Sequence, residues 1–441
     1  MDERVDYRHF NRMTTSTLLR SVPIEGASNA AAQSLPVEGF ERGSALYRRT
    51  SLALFLGGFA TFSLLYCVQP LLPEFARDYD VAPGVSALAL SLTTGALAVA
   101  IFISGAVSQM LPRRGLMLAS MVLAAACNLA AALAPSWSLL LLARLAEGVV
   151  LGGVPAVAMA YLAEEVHARD LGKAMGLYVA GTAFGGMVGR VGMGLLVEWS
   201  SWRVAMALLG AAGLVAALGF ALLLPASVRF APKRGFDVRA HARLWTRHLR
   251  HRDLWRLFMI GFVLTSVFVT LFNYAGFRLS AAPFGLGQTA ISLIFLTYIF
   301  GICVAPVAGY VSDRWGRKAP LAGSLAIMAA GALLTLPANL LAIAVGILMV
   351  TVGFFAAHAI ASGWVGALAG DAKGHASSLY LLLYYVGSSV TGSAGGWFWQ
   401  HAGWVGVVAL TVVLAGVGGA LALTIDRGGI NVALAAIKEG R

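Results

Sequence analysis

Twelve stretches of the chain are each long and apolar enough to cross about 30 Å of hydrocarbon as a helix. They run over 50–74, 85–110, 115–134, 137–163, 170–197 and 203–225, then over 254–277, 287–311, 319–338, 341–369, 374–400 and 404–425. In lipid every backbone N–H and C=O has to be satisfied within the protein, so repeated apolar stretches of this length dictate helices. Composition excludes a water-soluble alternative: 59% of residues are hydrophobic and 12% charged, against ~25% charged in soluble domains. The expected architecture is an all-α polytopic membrane protein whose twelve transmembrane helices form two pseudo-symmetric six-helix bundles, over 50–225 and 254–425. A basic cytoplasmic linker over 226–253 joins them. A disordered cytoplasmic tail is expected over 1–49 and a shorter cytoplasmic tail over 426–441.

Lys and Arg placement sets the expected orientation. With both termini inside, the inner face collects Arg48/Arg49, Arg113/Arg114, Arg169/Lys173, the linker, Arg314/Arg317/Lys318, Lys373 and Arg427. The outer loops keep only Arg77, Arg203 and Arg278. The net charge of +12 therefore reads as a cytoplasmic surface near anionic headgroups, not as a nucleic-acid site. No cleavable signal peptide is recognised. Cys67, Cys127 and Cys303 all lie in apolar segments; an odd number without metal-ligand spacing points to neither disulfides nor zinc.

Two segments carry charge at membrane depth. ARLAEGVVLGGVPA holds Arg144 and Glu147, and GLYVAGTAFGGMVGRVGMG holds Arg190. Such charge costs ~2.5–3.5 kcal/mol per residue on insertion scales and marks a functional site by default. Gly176, Gly185, Gly189 and Gly194 recur along the second segment, which predicts a helix that another backbone approaches closely.

The halves repeat. GAVSQMLPRR at 105–114 lies over GYVSDRWGRK at 309–318, and GGMVGRVGMGLLVEWSSW at 185–202 over GSSVTGSAGGWFWQHAGW at 387–404. Gly185/Gly387, Gly194/Gly396 and Trp202/Trp404 fall in register, while Arg190 faces Gly392, so the charge belongs to one half. Repeats of this kind build transporters whose substrate site lies between the halves near the bilayer midplane.

These residues carry a family resemblance. GYVSDRWGRK, with Gly309, Asp313, Arg314, Gly316, Arg317 and Lys318, resembles the cytoplasmic loop signature of the major facilitator superfamily. The first copy departs from it, with Gln109, Met110 and Pro112 in place of Asp, Arg and Gly, though Arg113 and Arg114 remain. Glu164, Glu165 and Asp371 are expected partners for these basic groups. Arg144-x-x-Glu147-Gly148 resembles the family's helix-four signature, usually Arg-x-x-Gln-Gly, and the glycine ladder resembles its helix-five antiporter signature, with Arg190 where proline is usual. LLYCVQPLLPEFA, YLAEEVH, FVTLFNYAGFRL, GFFAAHAIASGWVG and ASSLYLLLYYVGSS extend the resemblance from about residue 50 to 425. It implies a drug/proton antiporter of the bacterial inner membrane, exporting small organic compounds by alternating access.

Read from the residues themselves, Glu147 and His358 are the proton-coupling candidates: one is a buried carboxylate, the other an imidazole that titrates near neutrality. Glu147 and Arg190 are expected at similar depth, where they can form an ion pair. The candidate cavity residues are Arg190, Arg144, Tyr66, Gln69, Asn273 and Tyr274, with Tyr178, Trp364, Tyr384 and Tyr385 as aromatic wall; helix packing is the competing role for each aromatic. No GxxxxGK[ST] segment supports an ATP-driven pump, and no HExxH or GxSxG motif an enzyme. Sugar efflux is the alternative substrate reading; a facilitator, channel or receptor on the same scaffold is the alternative class, although a channel would repeat one ring of residues around a pore. The expected partners are membrane lipid, a small-molecule substrate and protons, acting on a monomer without metal or cofactor.

Overall fold

The computed structural model describes residues 39–107, 112–230 and 238–425. Residues 1–38 and 426–441 of the stretches read above as tails, the departures at Gln109 and Met110, and the side chain of Asp371 lie outside the described residues.

The helices are α1 Ala45–Asp78, α2 Pro83–Ser104, α3 Arg113–Ala132, α4 Trp137–Glu165, α5 Leu171–Trp199 and α6 Trp202–Leu223. The second half has α7 Arg252–Ser280, α8 Gln288–Trp315, α9 Lys318–Leu334 and α10 Leu340–Leu368. Lys373–Thr424 is one continuous run broken at Gly403, whose φ of 55° and ψ of −143° leave the helical region. A left-handed φ is open to glycine at no steric cost. The run is thus two helices, α11 (373–402) and α12 (404–424), so the described residues hold these twelve helices besides the linker helix Val238–Arg250. No strand occurs among the described residues; Phe40 and Val166 form an isolated bridge.

Two boundaries differ from the sequence reading. α9 stops at Leu334, because Thr335 caps it and its hydroxyl bonds back to the Ala332 carbonyl. At the other end, α1 begins at Ala45, capped by the Ser44 hydroxyl. Just before it, Phe40 donates to the Glu165 carbonyl and the Arg42 N–H to Asp170. Phe40 and Arg42 are therefore tied to the α4–α5 loop, inside the stretch expected to be a free tail.

Large apolar side chains such as Leu142, Val215, Leu218, Val405 and Val413 are exposed, as a lipid-facing belt requires. Within each half, glycines set the closest approaches. A methyl at Gly185 would strike the Phe59 carbonyl, and one at Gly189 the Ser63 backbone, so α5 lies directly on α1. The Ser63 hydroxyl seals that contact by donating to the Gly185 carbonyl at 2.8 Å. Gly387 repeats the geometry against the Phe262 carbonyl, placing α11 on α7. The ladder itself is corrected in part. Gly176 meets nothing within 4 Å, whereas Gly181 packs on Phe55, because Gly181, Gly185 and Gly189 share the face four residues apart that Gly176 does not.

The halves meet at the face opposite the basic loops. There Gly396 of α11 touches Gly84 of α2, and Gly194 of α5 touches Ser292 of α8. Gln288 donates to Glu74, and Glu198 accepts from the Thr289 N–H. Toward the basic face, Gly172, Gly176, Gly309 and Gly363 meet nothing within 4 Å. What spans the halves there is the linker helix Val238–Arg250. Its Trp245 stacks on Phe102 of α2 with centroids 4.2 Å apart, and its His241 pairs with His375 of α11 at 2.8 Å.

Candidate functional site

The close α5–α1 packing delivers Arg190, the residue after Gly189, to the junction of the halves. Arg190 is 1% exposed. Its Nε–H donates to Gln69 Oε1 at 2.7 Å and its Nη1 to the Gly186 carbonyl at 2.6 Å. A guanidinium only donates, so Gln69 must accept with its oxygen and has its NH₂ left to give. That NH₂ donates to Asn273 Oδ1 at 2.8 Å. Asn273 in turn donates to the Gly392 carbonyl at 3.5 Å. One directional chain therefore crosses from α5 through α1 and α7 to α11, ending at the glycine that the repeat pairs with Arg190.

The guanidinium also lies over aromatic rings from both halves: Tyr66 at 4.0 Å, Tyr298 at 5.0 Å and Phe295 at 5.1 Å. Both flanking helices change winding here. α1 passes through a 3₁₀ turn at Gln69–Leu71, forced by Pro70, and α8 through another at Leu293–Thr297. A 3₁₀ stretch inside a longer helix often marks a hinge.

Arg144 and Glu147 are both fully buried, and the expected Glu147–Arg190 pair is not made. Glu147 Oε2 instead accepts from Arg144 Nη1 at 2.7 Å. Residues three apart share one helix face, so Arg144 is the cation within reach. Arg144 further donates to the carbonyls of Leu64 and Leu65 on α1, at 3.2 and 2.8 Å, and of Ala89 on α2, at 3.1 Å. Gly148, one residue on, lets α4 lie against Thr93 of α2. Among the described residues Glu147 Oε1 has no hydrogen-bond partner.

His358 is half-buried in α10, its Nδ1 2.9 Å from the Tyr380 hydroxyl and its ring 4.9 Å from that of Tyr384. Tyr384 in turn contacts Tyr385 edge-on at 5.1 Å. Tyr178 and Trp364 are buried. Tyr274 does not join this group: its hydroxyl donates to the Gly392 carbonyl at 2.9 Å and its ring stacks on Trp399, so it belongs to the α7–α11 packing face.

A family model described as Major Facilitator Superfamily matches residues 54–387 and 277–435. The chain belongs to the major facilitator superfamily. The MFS-type transporter YybF of Bacillus subtilis is 42% identical over 84% of this chain and 91% of its own length. The inner membrane transport protein YnfM of Escherichia coli is 41% identical over 90% of this chain and 96% of its own. Among solved structures, a bacterial homolog of the human lysosomal transporter Spinster, inward-facing and unoccupied, superposes with a TM-score of 0.72 at 14% identity. It covers 87% of this chain and 98% of that one. The chain is a multi-pass membrane transporter and not an enzyme.

The superfamily's loop residues occupy the basic face. Arg113 forks onto Glu164, with bonds of 3.2 and 2.6 Å, as expected. Arg114 bonds the Ala221 carbonyl instead, and Glu165 accepts the Arg229 N–H. In the second copy Asp313 and Arg317 stand 3.9 Å apart and Arg314 reaches the Tyr310 hydroxyl. Gly316 makes the turn at φ 82°, and Lys318 opens α9. Sequence reasoning missed Phe295 and Tyr298, since aromatic residues in an apolar helix carry no mark separating a site wall from packing.

Proposed function

We propose that this superfamily member exports small organic compounds in exchange for protons, across a bacterial inner membrane and as a monomer. In this reading both termini and the linker are cytoplasmic, which follows the Lys and Arg bias. The described state is then closed toward the periplasm, with Gly84, Gly396, Gly194 and Ser292 as its seam. Ala242, exposed on the linker helix, gives the topology test: a lone cysteine there reacts with membrane-impermeant reagents only from the cytoplasmic side.

The observation that carries the reading is Arg190. It stands where the halves meet, between two helices that each break into a 3₁₀ turn beside it. Substrate contact at Arg190 would thus act on α1 and α8, the helices that must move for access to alternate. Glu147 is the first proton candidate, since its Oε1 is unpartnered and its loss of charge would release Arg144 from the tie among α1, α2 and α4. His358 is the second. In inside-acid proteoliposomes, uptake should rise with the gradient and fall with a protonophore. Glu147→Gln should keep exchange but lose the response to the gradient. Wild-type flux indifferent to the gradient would refute coupling, and a wild-type response in Glu147→Gln would move the proton to His358.

A further inference from the structure

Buried arginines in this molecule are otherwise matched with acids. Arg144 has Glu147 at 2.7 Å and Arg113 has Glu164 at 2.6 Å. Arg190, as deeply buried, has no carboxylate partner among the described residues; its acceptors are an amide oxygen and a backbone carbonyl. Its Nη2 amino group hydrogen-bonds to nothing among them. A buried cation without a counter-charge is costly. The bond to Gln69 needs a donor at this position but not a positive charge.

The surroundings define what would complete the site. Tyr66 covers the guanidinium at 4.0 Å, leaving the in-plane edge at Nη2 as the direction of approach. An acceptor arriving in that plane with negative charge is a carboxylate or its equivalent, the partner a guanidinium fork matches best. Phe295 and Tyr298, buried beside it at 5.1 and 5.0 Å, are the aromatic surface that the rest of a ligand would meet once the halves part. An inorganic anion would satisfy the charge and waste the wall.

Resting on the reading of Arg190 as the substrate contact, we infer that the cargo is an amphipathic organic anion. Its carboxylate seats on Arg190 Nη2 and its apolar body lies against Phe295 and Tyr298. An organic cation would meet an uncompensated like charge, and a neutral amide would leave that charge unanswered.

The test uses purified full-length protein with 1-naphthoate, 1-naphthamide, 1-naphthylmethylammonium and chloride as probes. Binding is read by thermal-midpoint shift and transport in proteoliposomes. Naphthoate should bind at least about tenfold tighter than the amide, and tighter still than the amine, in line with the asymmetry of sites built around a specific polar contact. Arg190→Gln should erase that preference. Phe295→Ala, which leaves Arg190 in place, should weaken naphthoate and spare chloride. The inference falls if amide or amine matches naphthoate, if the preference survives in Arg190→Gln, if chloride alone binds, or if no probe binds. Arg190-dependent transport of the amide or amine would sink the anion class and keep the transport site. Arg190-dependent naphthoate binding without flux would do the reverse.

Discussion

Arg144 and Arg190 are the same side chain at the same burial, and the protein holds them in opposite ways. Arg144 is almost saturated: one carboxylate and three carbonyls, drawn from α4, α1 and α2, take four of its five N–H donors. Arg190 is left short, with neutral acceptors on Nε and Nη1, aromatic rings around it, and Nη2 unengaged among the described residues. A saturated buried charge ties helices together. A short one waits for a ligand. The two arginines therefore separate the charge that holds the first half together from the charge left open to substrate.

The largest expected effect is at the tied arginine. Arg144→Ala strands Glu147 in the core, and breaking a buried pair from one side costs ~3–5 kcal/mol. The thermal midpoint should drop sharply, and Arg144→Met combined with Glu147→Leu should recover most of it. A single variant as stable as wild type would dissolve the contrast.

Next in size are the paired glycines. Gly185→Ala and Gly387→Ala each push a methyl into a backbone carbonyl of the neighbouring helix, at Phe59 and Phe262. Overpacking of this kind costs ~1–3 kcal/mol, and the pseudo-symmetry predicts similar losses in the two halves. A loss confined to Gly185→Ala would mean that the close packing serves Arg190 alone.

At the short arginine the expected stability effect is small and of unusual sign. Arg190→Gln removes an uncompensated buried charge, so the thermal midpoint should stay at or above that of wild type while transport is lost. A midpoint falling as far as in Arg144→Ala would make Arg190 a scaffold residue too.

The smallest effect is at the linker helix, outside both six-helix halves. His248 is buried against α11, and burial holds its imidazole below the ordinary value of 6.5; the Ala372 carbonyl opposes this, while Arg247 and His251 reinforce it. A docked helix with a lowered histidine pKa binds fewer protons than a released one. Its docking is thus fully supported above pH ~6.5 and weakens as the pH falls below it. Protection factors of the 238–250 amides, with the intrinsic pH dependence of exchange divided out, should be lower at pH 5.5 than at 7.5, and equal protection would remove His248 from the docking of this helix.

The sequence made the twelve spans legible because hydrocarbon thickness converts directly into residue count. Gly185 and Gly387 were legible because a repeat and a close approach point to the same positions. Depth was legible as well, and it misled: Glu147 and Arg190 lie at similar distances along their helices, but an ion pair also needs facing sides. The choice of Arg144 follows from helical spacing, which puts it three residues away on one face. Gly181 was hidden in the same manner, since the ladder had been counted from Gly176. Gln69 was legible as a polar group on a cavity helix, yet its role as the acceptor for Arg190 depends on Pro70 and the turn it imposes. Phe295 and Tyr298 required the fold itself, because they come from the other half, which has no counterpart to Arg190.

The most direct test is Arg190→Lys, which keeps the charge and removes the planar fork. Initial flux against substrate concentration should be measured in proteoliposomes alongside the thermal midpoint of the same preparation. The account predicts at least a tenfold loss in kcat/KM with the midpoint unchanged. Wild-type flux, or a loss of flux that follows a fall in the midpoint, would contradict it.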